Sequence, residues 1–351
     1  MKVLITIQHP AHVHFFKNTV KKLREQGNEV HVVAREKEIT TELLDAYDIP
    51  HTVLAGEVKS SYDVIRIQLK YEINLFKYAR KIKPDLLTAI GEPGITHVAK
   101  LLGTKSLLFT DTEHTRFQNY ISVPFADRIC TPSSYSNDLG ERHTRYDGYH
   151  ELAYLHPNQF EPDKENLKKC GVDPDEEYYV IRTIGWNAFH DRGKMGLSKH
   201  GLERITETLS NHGQVYITSE VELPGSLKDY KLTVPSHYIH DLLYYADGYI
   251  GDSGTMATEA AILGTPVIRA DPFAAGQDGG NFVELEEKYN LMFSTPDERT
   301  AIEKLPELIN NSDHSKVNRT KELFDDKIDV TEFILTQIRS LAKMEPQEKV
   351  E

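Results

Sequence analysis

Cysteine is almost missing from this 351-residue chain, which carries only Cys130 and Cys170. Two thiols without close pairing or metal-ligand spacing exclude a disulfide framework and a zinc cluster, and they fit a reducing compartment. Long apolar runs are also missing. The first, Val3 to Ile7, stops at Gln8-His9-Pro10, too short for a signal-peptide core. Nothing later approaches the roughly 18 apolar residues that a spanning helix requires. The expectation is a cytoplasmic chain with at most peripheral contact at the inner face of a membrane. Positive charge is in deficit as well: 41 Lys and Arg stand against 54 Asp and Glu, for a formal net charge of -13. That balance argues against a nucleic-acid partner, whose phosphates call for a basic surface.

What is present is enough for two cores. Hydrophobic residues make up 39% of the chain, with 18 Tyr and 13 Phe, and the length suits two domains of roughly 150 residues. Val3 to Ile7 reads as a strand, followed by a helical pattern from Val13 to Glu25, a stop at Gly27 and a second strand from Glu29 to Ala34. This is a βαβ opening. Further strands are expected at Leu86 to Ile90, Ser106 to Thr110 and Arg128 to Thr131, then at Tyr178 to Ile184, Gln214 to Thr218, Gly248 to Gly251 and Pro266 to Ala270. Helical stretches between them imply parallel sheets. The fold class is therefore α/β, with two tandem Rossmann-like domains: residues 1–157, a turn-rich linker at 158–165, a second domain at 166–328, and a helix and tail at 329–351 that cross back to the first domain.

The densest signal is Gly248-Tyr249-Ile250-Gly251-Asp252-Ser253-Gly254-Thr255, continuing through Glu259 to Gly264-Thr265-Pro266. It reads strand, tight turn, helix, glycine stop, strand. Ser253 and Gly254 fall at the helix start, where unpaired backbone N–H groups and the positive dipole end suit a diphosphate. Glu259, under two turns further on, is placed to accept hydrogen bonds from ribose hydroxyls. Taken singly, Ser253 reads as a plain helix cap and Glu259 as a solvated charge; the strands on either side favour the binding reading.

These motifs resemble the GT-B nucleotide-sugar enzymes. Asp252-Ser253-Gly254 with Glu259 looks like the donor motif of the non-hydrolysing UDP-N-acetylglucosamine 2-epimerases, in which Ser and Gly hold phosphate and Glu holds ribose. Gln277-Asp278-Gly279-Gly280-Asn281 resembles the segment of the lipid-linked N-acetylglucosaminyltransferases that holds donor-sugar hydroxyls. Ala11-His12-Val13 matches the position of the transferase Gly-His loop, with Gln8-His9-Pro10 where that loop is glycine-rich. Gly91-Glu92-Pro93-Gly94 and Thr110-Asp111-Thr112-Glu113-His114 look like the acceptor-facing loops. Gln8-His9-Pro10-Ala11-His12 and Trp186-Asn187-Ala188-Phe189-His190-Asp191 resemble a DUF354-like archaeal and bacterial branch of the same superfamily.

The resemblance implies a cleft enzyme, and the first reading is a metal-independent, cofactor-free, inverting glycosyltransferase. A UDP-linked donor would rest on Ser253, Gly254 and Thr255, with Arg182 at the phosphates, Glu259 at the ribose, and Gln277 and Asp278 at the sugar. His12 would deprotonate the acceptor hydroxyl, whether lipid-linked or on a polysaccharide. Glu113 and His190 are further catalytic candidates, and His14, Glu92 and Asp111 belong to the acceptor side. The runner-up is a nucleotide-sugar 2-epimerase using Glu92, Asp111, Glu113 or His190 for acid–base work; a non-catalytic nucleotide-sugar-binding protein is the third reading. A metal site among His9, His12 and His14 is disfavoured because no carboxylate or thiol joins them at ligand spacing. Asp173-Pro174-Asp175 reads as a solvated turn. Between Val64 and Ile82 two apolar stripes compete: Ile65, Leu69, Ile73, Phe76, Ala79 and Ile82, and beside them Val64, Ile67, Tyr71, Leu75 and Tyr78. One should be core, and the second is further core or a surface for a lipid-linked acceptor.

Overall fold

The computed structural model describes residues 1–36, 39–56, 63–113, 116–184, 197–219, 222–272, 274, 279–310 and 316–343. The chain divides into two compact units. The first comprises Met1–Gln159 with the chain from Lys327 onward, and the second Phe160–Asp326.

In the first unit seven strands form one parallel sheet: β1 (Lys2–Ile7), β2 (Glu29–Arg35), β3 (His51–Ala55), β4 (Leu86–Ile90), β5 (Lys105–Phe109), β6 (Arg128–Pro132) and β7 (His143–Tyr146). Their order is β3-β2-β1-β4-β5-β6-β7. Helices cover both faces, so β1 is a nearly unbroken apolar run, buried from Val3 to Ile7. Pro10 opens the first helix, Pro10–Glu25, where its missing N–H costs nothing, and Gly27 ends it with φ at 78°. The order reverses between β1 and β4, and the loops that follow these two strands therefore diverge at a switch point.

The Asp63–Ile82 helix buries Tyr71, Leu75 and Ala79 in the core with Leu87, Ile95 and Val98, and Ile67 and Tyr78 pack at its margin. The stripe through Ile67, Tyr71, Leu75 and Tyr78 is thus core, while its competitor divides: Ala79 is core with Phe76 and Ile82 packed against it, and Leu69 and Ile73 are exposed. The last helix, Val330–Ala342, returns to this unit. It is capped by Asp329, whose side chain accepts from Glu332 N at 3.2 Å, and it packs on the Pro10–Glu25 helix, β4 and β5. Lys22 Nζ meets Glu332 at 2.7 Å and Arg128 donates to Gln337 at 2.7 Å.

The second unit holds a five-stranded parallel sheet: β8 (Tyr178–Thr183), β9 (Gln214–Ser219), β10 (Gly248–Gly251), β11 (Val267–Ala270) and β12 (Phe293–Thr295). Its order, β12-β11-β10-β8-β9, places the switch point between β8 and β10. Ile181, Ile217, Ile250 and Ile268 form its core with Leu202, Ile205 and Leu209 of the Lys199–Ser210 helix. No helix among the described residues is long and apolar enough to cross a membrane.

Candidate functional site

At the second switch point β10 ends in Gly251, paired with Arg182 of β8. Asp252 follows and binds across the gap: it accepts from Ile184 N at 2.8 Å and from Leu197 N, and lies 3.5 Å from the Thr183 hydroxyl. Burial raises its pKa to about 6, against the pull of those donors and of Arg182. Ser253 is the N-cap of the Gly254–Ile262 helix, its hydroxyl accepting from Met256 N at 3.5 Å, and the first turn holds no acidic residue. Thr255 is exposed on that turn. A Cβ on Gly254 would lie 2.9 Å from Phe282 Cζ, so only glycine fits there without a shift. Phe282 is itself held under the guanidinium of the fully buried Arg269, 3.8 Å from its ring centre. The first turn has N–H groups, a favourable dipole end and no carboxylate on the turn itself, features that suit an anion.

At the first switch point His9 caps the Pro10–Glu25 helix, its Nδ1 accepting from Ala11 N at 3.2 Å. His12 stands beside it, with ring centres 5.9 Å apart, and its Nδ1 accepts the Gln8 N–H at 3.4 Å. In the neutral ring that bond puts the proton on Nε2. Across the switch point, buried Glu92 caps the Pro93–Leu102 helix by accepting from Gly94 N at 2.9 Å, with Gln68 Nε2 at 3.4 Å. Burial lifts its pKa to about 7 despite the Gly94 bond and nearby Arg35. One strand over, Asp111 follows β5 and pairs with His150 Nδ1 at 3.0 Å. Burial would raise this carboxyl, but the charge and hydrogen bond of His150 outweigh it and hold the pKa near 2.

The sequence profile described as Protein of unknown function (DUF354) matches residues 1–337. The chain belongs to the DUF354 family. Uncharacterized protein MJ0665 of Methanocaldococcus jannaschii is 25% identical over 282 residues, 78% of this chain and 82% of that protein. Among solved structures, a putative UDP-N-acetylglucosamine 2-epimerase from Listeria monocytogenes superimposes with a TM-score of 0.66 at 13% identity, over 97% of this chain and 96% of its own. Spinosyn forosaminyltransferase SpnP does so with a TM-score of 0.64 at 14% identity, over 98% and 100%. These likenesses show that the DUF354 chain has the GT-B fold, with two Rossmann-like parallel sheets.

Within this DUF354 chain the expected donor residues fall unevenly. Ser253, Gly254 and Thr255 stand together on the helix start, and Arg182 lies on the adjacent strand with its Nη1 donating to Thr218 at 3.0 Å. Glu259 is not a solvated charge: it is 4% exposed, with Oε1 3.1 Å from Nε2 of equally buried His240. His12, Glu92 and Asp111 share the carboxyl edge of the first sheet. His14 does not join them, being 6% exposed and turned into the core, where its Nδ1 meets the Tyr47 hydroxyl at 3.2 Å and its ring lies on Tyr154. That orientation also separates it from His9 and His12 as a metal ligand. Glu113 is engaged inside the unit, accepting from Ser136 N at 2.9 Å. His190, Gln277 and Asp278 lie outside the described residues, as do Trp186 and His114. The sequence reading missed His150 and the pairing of His240; each finds its carboxylate partner far along the chain, beyond the reach of a spacing rule.

Proposed function

We propose that this protein binds a nucleotide-sugar at the start of the Gly254–Ile262 helix and transfers the sugar to a hydroxyl acceptor. The observation that carries this reading is the coincidence of a serine-capped, acid-free helix start with the topological switch point of the second sheet, where open α/β sheets bind ligands. The diphosphate takes the N–H groups of the first turn and the hydroxyls of Ser253 and Thr255, with Arg182 nearby as counter-charge. Glu259, oriented by His240, takes the ribose hydroxyls. Gln277 and Asp278 are assigned to the sugar by the sequence motif alone, and UDP is the expected nucleotide on the same ground.

Proton transfer belongs to the carboxyl edge of the first sheet. The tautomer set by Gln8 makes His12 a donor through Nε2–H, so as placed it orients an oxygen rather than removing a proton from it. Glu92, whose pKa of about 7 matches a base working at neutral pH, is the better proton acceptor. Base catalysis by His12 requires its ring to release the Gln8 N–H.

One observation favours the second reading, epimerisation at C2 of the nucleotide-sugar. Glu92 and Asp111 end adjacent strands, and their environments pull the two carboxyls apart, to about 7 and about 2. Such a split suits acid–base elimination and readdition. Incubation with UDP-, GDP-, CDP- and dTDP-sugars, with and without hydroxyl acceptors, separates the readings. Sugar transfer only when acceptor is present supports the transferase, and a new nucleotide-sugar from donor alone supports the epimerase. Binding without turnover supports a binding protein, and no binding rejects the proposal.

A further inference from the structure

The outer face of the Asp63–Ile82 helix departs from the character of the rest of the chain. At 100° per residue, Arg66, Leu69, Lys70, Ile73, Lys77, Arg80 and Lys81 fall within one arc of about 120°. No other residue between Arg66 and Lys81 enters that arc. All seven are exposed. Between Arg66 and Lys81 the arc therefore carries five cations, two aliphatic side chains and no carboxylate, with Asp63 of the helix's first turn at its margin, on a chain whose formal net charge is -13. Leu69 and Ile73 are 56% and 52% exposed although they lie on a helix whose opposite side is fully buried. Glu72, next to Ile73 in the chain, is turned aside: it accepts from Gln68 and lies beside His97.

Two neighbouring helices also expose apolar side chains. The Pro93–Leu102 helix packs on this one and the Arg116–Ser122 helix on that, and they present Leu101 and Tyr120 at 74% and 79% exposure. Isolated exposed apolar residues need no explanation, but aliphatic residues interleaved with cations at helical spacing have a specific physical use. The apolar side chains enter the headgroup–acyl boundary while Lys and Arg reach the lipid phosphates along their flexible stems. The net negative charge of the remaining surface does not prevent this. At physiological salt the Debye length is about 8 Å, so a face of five cations is felt locally while distant acids are screened.

We propose that this helix face docks the protein on an anionic phospholipid surface, through the basic residues for attraction and through Leu69 and Ile73 for insertion. The inference stands apart from the nucleotide-sugar reading, because it concerns a different surface and needs no turnover. The test is co-sedimentation of the full chain with vesicles of phosphatidylcholine alone or with about one-third phosphatidylglycerol. The wild type is expected to bind only the anionic vesicles, and less as salt is raised. Each basic residue near such a surface is worth about fivefold in partitioning, so Lys70→Gln with Lys77→Gln should weaken binding about 25-fold. Leu69→Gln with Ile73→Gln should weaken it at least about tenfold at unchanged charge. Lys168→Gln with Lys169→Gln, exposed cations of the second unit, should leave it unaltered. All these positions are exposed, so melting curves should not move. The proposal is overturned if the wild type ignores anionic vesicles, binds neutral ones equally well, or binds undiminished with either helix-face pair replaced. Capture by an acidic polynucleotide without vesicle binding would also overturn it, and would assign the face to another polyanion.

Discussion

Asp252 offers a measurable cost at the proposed donor site. Its folded-state pKa of about 6 lies above the roughly 3.9 of an unfolded aspartate, so between these values the folded protein holds a proton that the unfolded chain has released. Stability due to this group is therefore greatest at low pH, falls as pH rises from about 4 to 6, and stays lowered above that window. About two pKa units correspond to about 3 kcal/mol. Asp252→Asn removes this dependence while its Oδ1 can still accept from Ile184 N, and its amide can donate to the Thr183 hydroxyl. Relative to wild type, the variant should gain about 2 kcal/mol between pH 4.5 and pH 8, since about 1 kcal/mol of the total is already lost at pH 4.5. Urea unfolding of both proteins at the two pH values measures this difference, and other titrating groups cancel in it. Destabilisation by the same amount at both values would show that the folded-state pKa is not raised, a relative gain only at the acidic one would show that the carboxylate is net favourable in the fold, and either result would refute the reasoning.

Gly254→Ala must push Phe282 aside from a 2.9 Å approach at its Cζ while Arg269 stacks on a face of the ring. The overpacking cost should exceed the helix-propensity gain and leave a net loss of about 1–2 kcal/mol in urea unfolding, with weaker UDP binding by calorimetry. Glu92→Gln should lower turnover by about 10²- to 10⁴-fold and abolish the rise of activity with pH through about 7, because a base works only when ionised. An unchanged pH profile would remove Glu92 from the chemistry. His12→Ala should reduce turnover while UDP affinity stays within about twofold of wild type, since the nucleotide contacts assigned above lie on the second unit. Turnover near the wild-type level would dismiss His12 from the reaction.

Much of the architecture is legible in the residues because parallel strands buried on both faces leave unbroken apolar runs. Leu86–Ile90 and Gly248–Gly251 coincide with their expected limits, Lys105–Phe109 shifts by one residue at both ends, and the other expected strands shift by one residue at one end. The strands not foreseen are short and lie at sheet edges. His51–Ala55 is half exposed, His143–Tyr146 runs into a turn-rich stretch, and Phe293–Thr295 has three residues. The serine cap was readable because capping is local. The pairings Asp111–His150 and Glu259–His240 were not, because tertiary contact alone brings those residues together. The stripe on the Asp63–Ile82 helix was ambiguous for a related reason: apolar residues occupy both of its faces, and periodicity cannot say which one the sheet will cover.

The buried charges can be sorted by where they stand. Lys316 is pushed down to about 7 by burial, yet its ammonium donates to the carbonyls of Tyr244 and Ala246 and to the Thr265 hydroxyl. Those acceptors close the end of the Ile239–Tyr245 helix and the turn before β11, so its perturbation follows from a structural duty. Glu92, Asp111 and Asp252 are shifted less than Lys316, but each follows the carboxyl end of a strand, at a switch point or one strand from it. A carboxylate there is not needed to close the sheet. Asparagine or glutamine could cap the same N–H groups without the desolvation cost. Retaining ionisable groups at three strand ends while simpler caps exist is what a site for moving or balancing protons requires. It follows that Glu92→Gln and Asp252→Asn should preserve the fold and cost activity, whereas Lys316→Met should cost stability and leave ligand affinity unchanged in the fraction that remains folded.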